Sequence, residues 1–307
     1  YLGQKAGSLV TSSTSNIQIK SNNLSSVNKP ITYTTTGIVS LEPFGTTYGS
    51  AQTISNSTFA NTVSALTIGK ATNTAGITLS SAATIAGPVT VYGGNITVDG
   101  NINTSAGNAN GDILLKSSGD IVQSASKTIT TNGGDLVLWA NSDGATTNGS
   151  VLLRNESAIS TNGGHVWMGG GSGSIIWNGL TVGNGTAVSG TTFVTPVDPT
   201  NPPYESGIYL EKATIQSGGG NVYLAGSSAG TDGALDFGIL THNVSSINSG
   251  SGTITIKGGT GSSTVRGMVV GVKYSEQPGS LTLTSASSQA TAIDVDLRST
   301  SNFVLTL

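Results

Sequence analysis

A short motif recurs along this chain and leaves few folds open to it. In each copy a β-branched residue within a polar step precedes a pair of glycines, and apolar residues at alternate positions follow the glycines. Three close copies span 128–139, 158–168 and 214–224, and looser relatives span 89–98 and 246–256. Alternation with a period of two predicts half-buried strands, and the glycines predict sharp turns between them.

A second motif lies between these copies and indicates the repeat length. It is a glycine, usually followed by one polar residue, that opens a strand of the form apolar-x-apolar, at Gly111, Gly149, Gly207 and Gly279. The separation of Gly111 and Gly149 fits two turns of a solenoid. One such strand cannot bury a core, whereas stacked repeats share a continuous one. The spacing therefore predicts an all-β parallel β-helix, or β-solenoid, with about 19–20 residues per turn.

The composition agrees with a solenoid and excludes several other classes of protein. Gly, Ser, Thr and Asn fill about half of the 307 positions, as expected if Gly and Asn form corners while Ser and Thr line outer rungs. Charged residues make up only 9%, which leaves too few charged helix formers for a helical bundle, and the net charge of −3 argues against a nucleic-acid binder. Without an apolar run of about 18 residues we predict no membrane span. The absence of cysteine excludes thiol catalysis, disulfides and cysteine-ligated zinc.

Changes in rhythm divide the chain into three parts. Residues 1–64 are predicted to be irregular Ser/Thr-rich β coils, 65–260 regular β-helix repeats, and 261–307 less regular terminal β coils. Residues 183–206 form an insertion that holds four of the eight prolines, Pro196, Pro199, Pro202 and Pro203. Proline cannot donate to a strand ladder, so we predict a protruding Pro-rich loop. With no initiator Met, we interpret the chain as a processed product or an internal segment.

The amino-acid sequence of the repeats resembles that of a known family. The segments 66–70, 73–79 and 85–98, with the Gly-Asp-Ile and Thr-Asn-Gly-Gly coils after them, are similar to repeat regions of filamentous-haemagglutinin-like bacterial surface proteins, over residues 40–260. The resemblance implies an exported giant protein with a right-handed parallel β-helix shaft that acts in adhesion, surface coating or cell–cell contact. It brings no catalytic residues. The Asn-Pro-Asn-Gly hallmark of the family's secretion domain is absent here, which leaves the secretion route open.

One acidic pair is the best candidate for chemistry. Right-handed β-helices also include pectate lyases and polysaccharide hydrolases, which need clustered acids and bases on an outer face. Asp294 and Asp296 share one side of a predicted strand, and Arg298 continues that side. We favour a solvated outer face over an acid pair steadied by arginine, with Ile293 and Val295 on the core side.

The remaining polar candidates suit turns better than metal sites. His165 and His242 are the only histidines; we expect both at the surface or in turns, and two ligands alone do not make a zinc site. Asp198 and Glu205 offer a calcium site in the Pro-rich loop only as an alternative. The run 169–173 lacks the Asp of a calcium-binding nonapeptide and the Lys-Ser/Thr of a phosphate loop. We predict no catalytic residue, metal or cofactor.

Aromatic residues offer a possible sugar-binding face. Trp139, Trp167 and Tyr223 follow equivalent glycine pairs and share strand parity. We favour packing or stacking between rungs over sugar binding for these three and for the other candidates, Tyr92, Trp177 and Tyr209.

Taken together, the residues favour an extracellular structural or adhesive segment of a bacterial surface filament, without enzymatic activity. The alternatives are a polysaccharide-degrading enzyme that uses Asp294, Asp296 and Arg298, and a carbohydrate-binding or protein-binding module. Expected partners are neighbouring copies or further repeats stacked end to end, with glycans or cell-surface receptors as further candidates.

Overall fold

The protein consists of strands and their connecting turns throughout the part of the chain that is described. The computed structural model describes residues 8–11, 14–24, 30–107, 111–145, 148–189, 204–229, 235–259, 266–270, 280–289 and 291–297. No helix in these ranges has the length and hydropathy needed to cross a membrane. The predicted all-β class is confirmed.

The strands are short, as the repeat motifs predict. In chain order they are β1 (Ser8–Thr11), β2 (Ile17–Lys20), β3 (Ile31–Thr34), β4 (Ile38–Glu42), β5 (Gln52–Ile54), β6 (Ser57–Phe59), β7 (Ala65–Ile68), β8 (Ile77–Leu79), β9 (Ala83–Thr84), β10 (Val89–Gly93), β11 (Ile96–Val98), β12 (Ile102–Asn103), β13 (Ile113–Ser117), β14 (Ile121–Gln123), β15 (Thr128–Thr130), β16 (Leu136–Trp139), β17 (Val151–Leu153), β18 (Ala158–Ser160), β19 (Val166–Trp177), β20 (Leu180–Gly185), β21 (Ala187–Ser189), β22 (Tyr204–Glu211), β23 (Thr214–Gln216), β24 (Val222–Ser228), β25 (Leu235–His242), β26 (Val244–Asn248), β27 (Ile254–Gly258), β28 (Arg266–Val270), β29 (Ser280–Thr284) and β30 (Ile293–Leu297).

Parallel pairing joins these strands into long sheets. The long sheet follows the path β2-β4-β7-β10-β13-β16-β19-β24-β27-β30, with β20 beside β19 and β21 beside β24. The second sheet runs β5-β8-β11-β14-β17-β22-β25-β28, the third runs β9-β12-β15-β18-β23-β26-β29, and β1-β3-β6 form a smaller one. From β10 onward the chain visits the long, second and third sheets in turn before it returns to the long sheet. This cycle of parallel strands is the repeating, solenoid-like architecture that the motifs predict.

The length of chain between stacked positions is not constant. In the second sheet Ile77 pairs with Ile96, a short step along the sequence. In the long sheet the step from Ile17 to its partner Val39 is slightly longer. The step from Val166 to its partner Val222, in the same sheet, is more than twice as long as the step from Ile17 to Val39. The stack therefore keeps its register while the connections between strands vary in length.

The core is a narrow file of apolar side chains inside the coils. At one position of the long sheet, successive coils place Leu66, Val89, Ile113, Leu136, Val166, Val222 and Ile254 above one another. Each of these side chains is at most 1% exposed. Alternate residues of the same strands face outward, so one strand contributes only two or three side chains to the core.

Close approach between coils makes the second glycine of each repeat indispensable. A Cβ on Gly164 would lie 2.0 Å from the carbonyl oxygen of Gly134, and one on Gly220 would lie 2.0 Å from that of Gly164. The same distance separates a Cβ on Gly252 from the Gly220 oxygen. The preceding Gly163 has a φ of 117°, a backbone conformation that L side chains rarely adopt. The glycine pairs thus serve turning and stacking together.

The described strands cross the segment boundaries predicted from the sequence. Strands β2 and β4, from the first predicted segment, lie in the same sheet as β7, and β30, from the last, continues that sheet. Within the predicted 183–206 insertion, β20 ends at Gly185 and β21 spans Ala187–Ser189, while β22 begins at Tyr204. Residues 190–203, with all four prolines of the predicted loop, lie outside the described residues.

We predict that Gly164→Ala destabilises the protein by about 1–3 kcal/mol, because its Cβ would overlap the Gly134 carbonyl. Gly45→Ala is the matched control, since a Cβ at Gly45 meets nothing within 4 Å. Urea unfolding followed by far-ultraviolet circular dichroism measures both variants. Equal midpoints for the two would contradict the close contact between coils.

Candidate functional site

The outward side of the long sheet carries a second apolar cluster, which is separate from the core. Val137, Trp139, Trp167 and Val182 are buried there, and Leu114, Trp177, Leu180 and Tyr223 pack against them. The register stacks Val137 beneath Trp167 and Trp167 beneath Tyr223. We call the four rings Trp139, Trp167, Trp177 and Tyr223 the aromatic face. Trp167 faces away from the core yet is only 1% exposed, so another element must cover it.

That element is a β-hairpin formed by the outer part of β19 and by β20. The two segments pair antiparallel from Trp177↔Leu180 to Ser174↔Gly183. Asn178 and Gly179 form the turn with φ values of 47° and 83°, the positive-φ pair that suits a tight hairpin. The repeat motifs did not predict this hairpin, although Asn-Gly between two apolar runs is its standard signal.

The hairpin lies on the aromatic face and is held there by specific contacts. The Val182 side chain is fully buried, and the Trp139 Nε1–H donates to the Gly171 carbonyl oxygen at 2.8 Å. The Trp167 and Tyr223 rings stack with centroids 6.1 Å apart, and the Trp177 ring lies 5.8 Å from that of Tyr223. Trp139, Trp167 and Tyr223 thus pack between rungs, the arrangement that we favour over sugar binding.

Two lysines border the aromatic face. The Lys116 ammonium lies 3.6 Å from the centroid of the Trp139 ring, and that of Lys257 lies 5.6 Å from the Tyr223 ring. A cation over an aromatic ring is attracted by the negative face of the ring. Burial also lowers the pKa of Lys116 from its ordinary value. Two apolar side chains of the hairpin remain open to solvent, since Ile175 is 48% and Ile176 is 71% exposed.

Buried hydroxyl groups close the glycine corners in successive coils. The Thr161 hydroxyl donates to the Gly164 carbonyl at 2.5 Å and lies 3.3 Å from the Ser217 carbonyl of the next coil. The same pair of contacts recurs at Thr131, Ser217 and Ser249. All four side chains are fully buried. The hydroxyls therefore satisfy corner carbonyls that water cannot reach.

A second ladder runs along the residues that precede the strands of the long sheet. The Asp112 Oδ1 accepts from the Asp135 N–H at 2.8 Å, and the Asp135 Oδ1 accepts from the His165 N–H at 2.6 Å. The His165 Nδ1 in turn accepts from the Asn221 N–H at 2.8 Å, and the Asn221 Oδ1 accepts from the Thr253 N–H at 2.9 Å. We call this chain of contacts the acceptor ladder. Each side chain satisfies the backbone of the following coil.

The acceptor ladder explains one of the two histidines. His165 is half-buried and directly precedes β19. Its ring is a structural acceptor that also packs edge-to-face with the Trp177 ring, with centroids 5.5 Å apart. Burial is the main cause that raises the pKa of Asp112, and the nearby Asp135 carboxylate raises it further.

The other histidine ends β25 in a small charged group on the second sheet. The His242 Nδ1 lies 3.9 Å from the Glu211 Oε1, and the Tyr209 ring stacks at 6.4 Å from that of His242. The Arg154 guanidinium lies 5.7 Å from the Tyr209 ring. Contact with His242 is the largest cause that lowers the pKa of Glu211, while burial raises the pKa of the Tyr209 hydroxyl.

The acidic candidates do not come together as a described site. Asp294 is exposed on β30 and pairs in register with Thr255. The backbone of Asp296 pairs with Lys257, whereas Arg298 lies outside the described residues. Asp198 also lies outside them, and Glu205 is 1% exposed within β22, where its Oε2 accepts from the Ser189 hydroxyl at 3.1 Å. Glu205 therefore belongs to a strand and not to the predicted loop.

In the described ranges no group of three or more His, Cys, Asp or Glu side chains is placed to hold a metal ion.

No protein-family model, curated protein or solved structure matches the chain. The geometry of the chain itself therefore carries the functional argument.

We predict that Thr161→Val lowers the free energy of unfolding by about 1–3 kcal/mol, because it removes a buried hydroxyl that donates to the Gly164 carbonyl. Thr161→Ser keeps the donor and is expected to lose less. Thr128→Val, at an exposed position, controls for the extra methyl group. Urea denaturation ranks the three variants, and a Thr161→Val protein as stable as Thr128→Val would rule out the role of the hydroxyl.

We predict that Trp167→Ala frees the hairpin and costs about 3–5 kcal/mol of stability, because the ring fills the space between Val137, Val182 and Tyr223. Chymotrypsin cleavage after Trp177 or Leu180, mapped by mass spectrometry, is expected to become faster. Phe44→Ala removes a ring that is 68% exposed and serves as the control. Cleavage at the same rate in both variants would show that the ring does not anchor the hairpin.

Proposed function

We propose that this chain is a segment of an extracellular filament on a bacterial cell surface, where it acts in attachment, cell–cell contact or surface coating. We propose further that its coils wind in the right-handed sense. The observation that carries the proposal is the long sheet, whose parallel path runs without interruption from β2 to β30. Such a stack is extended along one axis and resists bending, because adjacent coils share backbone hydrogen bonds and a common core.

The described surface supports a mechanical role more than a chemical one. Two tryptophan rings of the aromatic face, Trp139 and Trp167, are 4% and 1% exposed, so neither offers a free surface to a sugar. Asp294 stands beside Thr255 on the neighbouring coil, without a described carboxylate partner. These features favour a structural or adhesive segment over a polysaccharide-degrading enzyme.

Exposure at the last described coil suits end-to-end partners. Ile293 of β30 is 38% exposed, whereas Ile254, its paired residue on the preceding coil, is fully buried. In the described part of the chain no strand pairs with the far side of β30. A further coil or a neighbouring copy placed there would bury Ile293. We propose such stacking partners, with glycans or cell-surface receptors bound at the outer faces.

The location is tested on intact cells that produce the protein. We expect an antibody against this chain to label extracellular filaments by immunogold microscopy, and proteinase K added outside to remove the label. A cytoplasmic protein serves as the control for cell integrity. Label that appears only after permeabilisation would refute the extracellular location.

Antigen-binding fragments of the same antibody are expected to reduce attachment to surfaces or to other cells.

The enzymatic alternative has its own test. We expect the purified chain to leave uronate polymers intact, as measured by absorbance of unsaturated products and by reducing ends. Turnover by the wild type that is lost in Asp294→Asn would establish the polysaccharide-degrading function instead.

A further inference from the structure

One member of the acceptor ladder differs chemically from the others. Asp112, Asp135 and Asn221 each accept a backbone N–H from the next coil through a side-chain oxygen. His165 does so through a ring nitrogen. Histidine is the side chain whose charge ordinarily changes between pH 8 and 5. The ladder therefore has a member that a mild change of pH can alter.

The observed contact requires a neutral ring with a defined tautomer. The Asn221 N–H lies 2.8 Å from the His165 Nδ1 and donates to it. This Nδ1 must carry no proton, so the single proton of the neutral ring is on Nε2. Protonation places a second N–H on Nδ1, and two donors would then face each other across that distance. The hydrogen bond cannot survive in the protonated form.

The surroundings offer the protonated ring a different partner. The Asp135 carboxylate lies on the preceding coil and already accepts the backbone N–H of His165 at 2.6 Å. The hairpin contributes the Trp177 ring, and the following coil contributes Asn221 and Tyr223. Beyond them Lys257 lies over Tyr223, and beyond Asp135 lies Asp112. The charged side chain in direct contact with His165 is therefore the Asp135 carboxylate, through the backbone N–H.

We propose that His165 is a proton-operated latch for the hairpin. In the neutral state its ring holds the Asn221 amide and supports Trp177 near the hairpin turn. In the protonated state the ring pairs with the Asp135 carboxylate, releases the Asn221 N–H and moves away from the Trp177 ring. Mild acid thus loosens the hairpin turn from the aromatic face, while the coils beneath keep their register through the backbone ladder.

Hydrogen exchange of the Asn221 amide tests the latch directly. The folded chain is labelled with ¹⁵N, and exchange is measured by NMR at pH 7.5 and 5.0, with correction for intrinsic rates. We expect the protection of this amide to fall about tenfold at the lower pH, the factor for one lost hydrogen bond. Chymotrypsin cleavage after Trp177, normalised to its rate on an unstructured peptide at the same pH, is expected to rise as the pH falls from 7.5 to 5.0.

Three variants separate the latch from other effects of acid. His165→Asn keeps an acceptor, as Asn221 does on the next coil, and is expected to hold the same protection at both pH values. His242→Asn removes the other histidine and is expected to respond as the wild type does. Asp135→Asn keeps an oxygen for the His165 N–H but removes the negative charge, so its transition is expected at lower pH. Far-ultraviolet circular dichroism verifies that each variant is folded.

The latch would be overturned by equal Asn221 protection at pH 7.5 and 5.0 in the wild type. It would equally be overturned if His165→Asn lost protection as the wild type does. An Asp135→Asn variant with an unshifted transition would remove Asp135 as the partner of the protonated ring.

Discussion

Backbone contact between successive coils at the glycine corners controls the rest of the molecule. There the second glycine of one repeat meets the carbonyl of the equivalent glycine below so closely that no side chain fits between them. This contact brings the Thr161 hydroxyl within reach of the next coil and aligns the acceptor ladder beside it. Apolar stacking in the core and ring stacking on the outer face both depend on that alignment, because each joins side chains from different coils.

Local pattern accounts for much of the fold. The alternation after each glycine pair predicts strands, which the structure places at β16, β19 and β24. The parity of Trp139, Trp167 and Tyr223 predicts that they share one side, and the structure shows that this side faces away from the core. Each feature is local, since the strand and its ring lie within a few residues of the glycine pair, and comparison of the copies reveals it. The all-β parallel stack follows because no single strand can bury its own apolar side.

Features that depend on contacts between successive coils could not be predicted from the local sequence. The role of Thr161 or His165 appears only once it is known which residue lies directly above. That depends on a step along the chain whose length varies more than twofold within one sheet. Trp177 reaches Tyr223 through a hairpin that leaves the coil, so the spacing from the glycine pair did not include it. Asn178-Gly179 was the available local signal.

The way the hairpin leaves and rejoins the sheet has a consequence for how such a chain can diversify. Val166–Met168 and Ala187–Ser189 both pair with β24, at Val222–Leu224 and at Gly226–Ser228. The rung beside β24 is thus made of two separate strand segments, and the hairpin is the insertion that connects them. Closing a longer loop between fixed ends adds little entropic cost. Insertions of quite different length could therefore replace the hairpin between these two segments without disturbing the coils that support it.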